Sequence, residues 1–272
     1  MQLCDFTAGQ AIGLLSHHFT PDHNLDSFAY TNAFLRRPVA LPPVFAHFWT
    51  LTHTVILGMQ DLRLPQLSTA LSGLGDWHYF VRNSGGLGVV ADDQVLNFSL
   101  FLPVSDLSIA SAYQLMADLI ATALSEATVT TGEITRSYCP GTYDLSINGQ
   151  KFAGIAQRRT SRGIAIMAYL SVTGDQVARG QLMRHFYTRG DAASATHFHY
   201  PDIDPASMNS LDTLLALPLT VGLLQARLVR ALEAQGAITS LATTASLRQP
   251  AFQAALAAAT TDMQERQEAL HV

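Results

Sequence analysis

The sequence is poor in charge and poorer still in lysine. Only 14% of its 272 residues are charged, against 48% hydrophobic, which excludes a disordered chain and predicts a globular one. Sixteen basic residues stand against 21 acidic ones, and a formal charge of −5 excludes any general attraction to nucleic acid or to an anionic membrane. Lys151 is the one lysine; every other basic residue is arginine. Cysteine occurs twice, at Cys4 and Cys139, too seldom for a disulfide scaffold in so long a chain, so both are expected to be free thiols in a reducing compartment. The first 35 residues contain neither lysine nor arginine, so the cationic start of a secretory signal is missing. The most apolar late stretch, Leu214 to Leu224, is interrupted by Pro218 and Gly222 and falls short of the roughly 20 residues that span a bilayer. The expectation is a cytoplasmic protein with no membrane span.

What is present alternates between strand-like and helix-like patterns. Leu25 to Leu35 places Leu25, Phe28, Ala29, Ala33 and Phe34 at helical spacing and should end before Pro38. Phe45 to Leu51, Thr54 to Leu57, Tyr79 to Val81 and Leu96 to Leu102 are rich in β-branched and aromatic residues and read as strands. Val104 to Ala127 has one broad apolar helical face, fit to lie against a sheet. Asn148-Gly149 is the favoured pair for a two-residue hairpin, since both central positions of a type I′ turn need positive φ. Its arms are Tyr143 to Ile147 and Lys151 to Gln157. Ile164 to Val172 is a nearly continuous apolar run, as a central strand requires. From about residue 206 the pattern turns helical, over Leu211 to Leu217, Val221 to Ala234 and Pro250 to Leu270. Strands first and helices last predict an α+β fold, a mixed sheet flanked by helices, and no linker forces a domain cut within residues 1–272.

Three constellations bear on chemistry. Ser84-Gly85-Gly86-Leu87-Gly88, after Arg82-Asn83, lets a backbone approach a ligand closely, although on sequence alone a tight sheet turn is the favoured reading. It fits neither a phosphate-cradling loop nor a dinucleotide fingerprint. Cys139 precedes the turn pair Pro140-Gly141, so it belongs on a loop open to an incoming acyl group, although most cysteines are simply small buried hydrophobes. A thiol needs a cation or a base to act as a nucleophile at neutral pH, and Lys151, Arg136, Arg158 and Arg159 are the candidates. Pairing Ile147 with Gln150 sets Ser146 opposite Lys151 and leaves Cys139 at the far, open end of the hairpin, so residues 136–142 must fold back to bring the two together. His197 and His199 with Asp202 and Asp204 lack any familiar zinc spacing and read as a polar connection. His78 beside Trp77 is either a general base or a packed histidine. The Gln157-Arg158-Arg159 run is a solvated strand end or a surface for an acidic partner. No metal and no cofactor is expected.

These pieces resemble the biotin/lipoate protein ligase superfamily, and within it the octanoyl transferase branch that acts between lipoyl carrier proteins. The resemblance runs from about Phe28 through Leu228. It is carried by Val81-Arg82-Asn83-Ser84-Gly85-Gly86-Leu87-Gly88-Val89-Val90, by Leu96-Asn97-Phe98-Ser99-Leu100, and by Cys139 through Arg159, while Trp49 with Thr54-Val55-Ile56-Leu57-Gly58, then Asp61-Leu62-Arg63-Leu64-Pro65, resembles the opening strands of that branch. It implies the catalytic-domain fold of that superfamily, with an acyl site lined by the glycine-rich segment. Cys139 matches the cysteine that carries the acyl group as a thioester, and Lys151 the lysine that contacts the acyl carbonyl region. Arg82, Ser84, Gly85, Gly86, Gly88, Asp144 and Gly154 are the implied substrate-binding positions, and Val89, Val90 and Ile155 are candidates for the acyl tunnel. Lys151 and backbone N–H groups of residues 84–88 would stabilise the tetrahedral oxyanion.

The implied reaction takes octanoate from a lysine of the glycine cleavage H protein and gives it to a lipoyl-domain lysine of a 2-oxoacid dehydrogenase complex. An ATP-dependent lipoate or octanoate ligase resembles the chain less, because it typically carries Arg-Arg where Arg82-Asn83 stands and lacks a cysteine at position 139. Use of octanoyl acyl carrier protein as donor, and a non-catalytic lipoyl-carrier binder, are the remaining alternatives.

Overall fold

A computed structural model describes residues 2–239 and 241–270. Eleven strands form two sheets. In chain order they are β1 (Ile12–Phe19), β2 (Phe45–Leu51), β3 (Thr54–Leu57), β4 (His78–Val81), β5 (Val89–Ala91), β6 (Val95–Leu102), β7 (Thr130–Thr131), β8 (Leu145–Ile147), β9 (Gln150–Thr160), β10 (Gly163–Ser171) and β11 (Ile238–Thr239). The helices are α1 (Asp26–Arg36), α2 (Leu67–Ser72), α3 (Ile109–Ala123), α4 (Gln176–Arg189), α5 (Leu211–Leu215), α6 (Val221–Glu233), α7 (Leu241–Leu247) and α8 (Pro250–Gln267).

The large sheet runs β11-β1-β2-β6-β10-β9-β8-β7, and β4-β3-β5 form the small one. β1 is parallel to β2 and β11, while β6, β10, β9 and β8 pair antiparallel, so the large sheet is mixed as the sequence predicts. Every residue of β6 is buried, because both faces of the large sheet are covered. Leu96, Phe98, Leu100 and Leu102 meet apolar residues of α3 and α6, including Met116, Ile120, Leu224 and Leu228. Phe101 faces the opposite way, into a cluster built from α1, the small sheet, α4 and α8. A near-continuous apolar strand is what burial on two faces demands.

Several boundaries shift for local reasons. α3 starts at Ile109 rather than Val104, because Ser108 caps it by accepting the Ser111 N–H at 3.0 Å. Val104 is left exposed in the preceding loop. The hairpin has its expected register, with Ile147 opposite Gln150 and Ser146 opposite Lys151. Asn148 and Gly149 take φ of 52° and 79°. Its first arm is only Leu145–Ile147, and its second runs on to Thr160, paired beyond Ala153 with β10 alone.

β1 and α4 have no counterpart in the sequence reading. α4 buries Gln176, Arg179, Gly180, Met183, Phe186 and Tyr187, a helical spacing hidden because two of its inward positions are polar. Arg179 meets Asp92 through two 2.8 Å hydrogen bonds, which is how a buried guanidinium is accommodated. The C-terminal region is not wholly helical, since β11 returns to the edge of the large sheet. Among the described residues no helix is long and apolar enough to cross a membrane.

Candidate active site

The loop from β7 to β8 folds back, as joining Cys139 to Lys151 requires. Asp144 organises the reversal. Its Oδ2 accepts the N–H groups of Gly141 (3.1 Å) and Ile134 (3.2 Å), and its Oδ1 faces Lys151 Nζ at 2.9 Å. Lys151 Nζ also donates to Ser137 Oγ (3.1 Å), Tyr138 O (3.1 Å) and Cys139 O (2.8 Å). The lysine side chain is 0% exposed, and its three protons already serve four acceptors. Burial raises the Asp144 carboxyl above its ordinary range, with Lys151 and the two N–H groups opposing the shift. Cys139 itself sits at φ 48°, a left-handed conformation that costs an L-residue roughly 1–2 kcal/mol. The bond from Lys151 Nζ to its carbonyl oxygen helps hold it there.

The sulfur of Cys139 meets the glycine-rich loop. It accepts the Leu87 N–H at 3.2 Å and lies 3.7 Å from Arg82 Nη2. Arg82 is 6% exposed and holds the loop from inside, donating to Gly85 O (2.8 Å) and Leu87 O (2.9 Å). Gly86 has φ 95°, and a Cβ there would lie 2.5 Å from Arg82 Nη2 and 2.9 Å from the Cys139 sulfur. Only glycine fits that position. The loop is not a tight hairpin turn, because β4 and β5 pair with opposite edges of β3 and not with each other.

A cavity of about 280 Å³ opens beside the sulfur, just below the roughly 300 Å³ at which the range for small-molecule sites begins. Arg82, Ser84, Gly85, Gly86, Cys139, Asp144 and Gly154 line it, together with Val89 and Ile155. The structure thus gathers eight implied or candidate positions around Cys139. Lys151, Gly88 and Val90 are not in the wall. Lys151 stands behind the Cys139 loop, the Gly88 N–H donates to Tyr187 Oη at 3.2 Å, and Val90 is 0% exposed in the core. Trp49, Asn97, Tyr169 and Gly154 are register neighbours across β2, β6, β10 and β9 and form one side of the cavity. Phe28 and Ile56 add apolar surface. Asn97 Nδ2 is buried there without a partner.

The remaining candidates lie elsewhere. His78 is exposed on β4 and outside the cavity wall. His197 and His199 are exposed because the residues between and after them, Phe198 and Tyr200, pack inward. Asp202 and Asp204 pair with Arg136 on the surface. Cys4 is exposed and free, and Cys139 is half-buried and free.

Asp61, which the sequence marks only as the start of a stretch that carries the resemblance, and Tyr187, which it does not single out, support the loop from below. Asp61 accepts the Gly58 N–H at 2.7 Å and the Tyr187 hydroxyl at 2.9 Å, and Tyr187 in turn accepts from Gly88. No sequence pattern marks their contact, since they meet from elements 126 residues apart. Burial pushes the Asp61 carboxyl up to about 6, against hydrogen bonds from Gly58 and Tyr187 and the charge of Arg82.

The folded-state value lies above the unfolded one of 3.8, so the contribution is full below that value and is lost as pH rises through about 6. Between roughly pH 5 and pH 7 it removes about 1 kcal/mol of stability. His47, buried and held well below its ordinary value by desolvation and by neighbouring His17, works in the opposite direction. The difference between wild type and Asp61→Asn isolates the Asp61 part. Urea unfolding at the two pH values should show that the variant lacks it, and equal slopes would remove the assignment.

Residues 23–233 match the family model for the lipoyl protein ligase A/B catalytic domain. The chain is 48% identical over 192 residues to an octanoyl-[GcvH]:protein N-octanoyltransferase of Anoxybacillus flavithermus, covering 69% of this chain and 70% of that protein. It is 41% identical over 228 residues to a protein of the same name from Macrococcus caseolyticus, covering 82% and 83%. A lipoyl-[GcvH]:protein N-lipoyltransferase of Listeria monocytogenes is 41% identical, with 70% and 71% covered. A crystal structure of lipoate-protein ligase A bound with ATP superposes with a TM-score of 0.72 at 14% identity, over 96% of this chain and 98% of that one, a likeness of fold. By the matched residues and the identity to these relatives, the chain belongs to the lipoyl protein ligase A/B catalytic-domain family.

Proposed function

We propose that this protein is an octanoyltransferase that moves the acyl group from an octanoyl-lysine of the glycine cleavage H protein to a lipoyl-domain lysine of a 2-oxoacid dehydrogenase, by way of a thioester on Cys139. The observation that carries the reading is a cysteine sulfur in the wall of a largely apolar cavity, facing a backbone N–H and a guanidinium. The names of relatives at 41–48% identity support the same donor. The reading places the protein in the cytoplasm and describes residues 1–272 as one catalytic domain.

The steps balance without a nucleotide. Cys139 sulfur attacks the amide carbonyl of octanoyl-lysine, the C–N bond breaks, and the thiol proton leaves on the departing lysine nitrogen. The acceptor lysine nitrogen then attacks the thioester carbonyl, the C–S bond breaks, and one of its protons returns to sulfur. One amide is consumed and one is formed, so the exchange is nearly balanced overall.

Leu87 N–H and the Arg82 guanidinium are the donors that reach the Cys139 sulfur. They are therefore near where the oxyanion forms, on the carbon bonded to sulfur and two bonds from the sulfur itself, a contribution of about 2.7–4 kcal/mol per donor in studied enzymes. Lys151, with its protons engaged by four acceptors, acts in this reading by holding the Cys139 loop rather than by touching the acyl group.

The apolar wall sets the preferred chain length. Each buried methylene contributes about 0.8 kcal/mol, so a hexanoyl donor should lose about 1.6 kcal/mol, roughly 15-fold in kcat/KM, relative to octanoyl. Equal kcat/KM for the two donors would dissociate the cavity from acyl recognition. Incubation with octanoylated H protein should leave a hydroxylamine-labile adduct of octanoyl mass on Cys139. Transfer that proceeds with no such adduct, or only with ATP, would end this reading.

A further inference from the structure

Through Gln267 the C-terminal helix bonds the strand that leads into the glycine-rich loop. Gln267 closes α8 and lays its carboxamide against the free edge of β4. Its Oε1 accepts the Val81 N–H at 2.7 Å, and its Nε2 donates to Val81 O at 3.1 Å and to Met263 O at 2.7 Å. On its other edge β4 pairs with β3, where Val81 lies opposite Leu57 and the Arg82 N–H donates to Leu57 O at 2.9 Å. The side-chain amide thus stands in for the neighbouring strand that this edge lacks, and both backbone groups of Val81 are satisfied. Val81 is the root of the glycine-rich loop, and the next residue is Arg82, whose guanidinium holds Gly85 O and Leu87 O and lies 3.7 Å from the Cys139 sulfur. α8 falls beyond residue 233, where the match to the family model ends.

We propose that Gln267 is a positioning residue for acyl transfer. By pinning Val81 it sets the Arg82 guanidinium, and through it the Leu87 N–H, against the Cys139 sulfur. The inference rests on Cys139 carrying the acyl group. Arg82 ties the loop to the end of β4, so a shift of the strand end moves the loop with it. A displacement of about 1 Å at such a site is enough to cost up to about 100-fold in rate.

Two rate measurements on the full-length protein test this: single-turnover acylation of Cys139 by octanoylated H protein, and alkylation of Cys139 by iodoacetamide. Gln267→Leu should slow acylation roughly tenfold, slow alkylation in step, and leave the KM for the carrier and the Tm close to wild type. Gln267→Glu keeps an acceptor for the Val81 N–H and should fall between the two. Arg36→Gln removes the ion pair to Asp262, which also ties α8 to α1, and should retain the wild-type rates. In an Arg82→Lys background, Gln267→Leu should add no further loss, because both act through one guanidinium.

Wild-type rates in Gln267→Leu, the same loss in Arg36→Gln, or full additivity with Arg82→Lys would each overturn the proposal. The alkylation arm needs no acyl donor. Slowed alkylation in Gln267→Leu, with no acyl adduct on the wild-type protein, would support the positioning role and refute the thioester.

Discussion

Cys139→Ser is expected to lower the single-turnover rate of octanoyl transfer by on the order of 10⁴-fold or more, with the fold intact. The substitution keeps the size and the loop but replaces the thiol by a hydroxyl, a weaker nucleophile that needs a base to attack an amide. Among the described residues no histidine lines the cavity. The carboxylate that does line it, Asp144, is committed to Lys151 and two backbone N–H groups. The groups facing position 139 are donors, Leu87 N–H and Arg82 Nη2, and they offer nothing to take a serine proton. Intact mass should show no octanoyl adduct on the variant. A serine variant that relayed octanoate at the wild-type rate would mean that the sulfur is a bystander and that the two lysines exchange directly.

Lys151→Met should cost about 3–5 kcal/mol in stability and at least about 100-fold in acylation rate. The first figure follows from leaving Asp144, 1% exposed, without its cation. The second follows from releasing three oxygens of residues 137–139, which hold Cys139 at positive φ beneath the Leu87 N–H. The double variant Lys151→Met/Asp144→Asn removes the charge imbalance and should recover most of the stability. It should not recover the rate, since the loop is still unpinned. Urea unfolding and single-turnover transfer separate the two effects. If the double variant regained both, Lys151 would matter only as a partner for Asp144, and the loop clamp would be refuted.

These expectations show how differently the two halves of the site were written in the sequence. The glycine-rich segment was legible because Gly86 must tolerate positive φ and a close sulfur, and such a position leaves a compositional trace. The hairpin was legible because Asn148-Gly149 has few other uses. Lys151 stood out by being alone, yet its solitude did not tell which way it faces. In the folded chain it points into the back of the Cys139 loop, where four acceptors converge on it. Tyr187 and Gln267 left no trace, and Asp61 showed only as part of a stretch resembling the family, because each acts through hydrogen bonds to elements far off in sequence. α4 went unread for a related reason: Gln176 and Arg179 face inward, and a polar residue on the buried side erases the apolar period.

Local rules were enough for what depends on neighbours along the chain. They placed the β-rich first half and helical end, the turn at Asn148-Gly149, the glycine loop, and a lone thiol followed by a turn. What needed the tertiary structure was everything that depends on distance through space. The sulfur meets the Leu87 N–H across 52 residues, the cavity wall is shared by strands of two sheets, and the lysine is spent on the loop instead of the cavity. Periodicity reports which face of an element is apolar. It carries no information on which distant polar group will complete a hydrogen bond, because that is settled only when the two faces of the large sheet are covered and every buried donor has to find an acceptor.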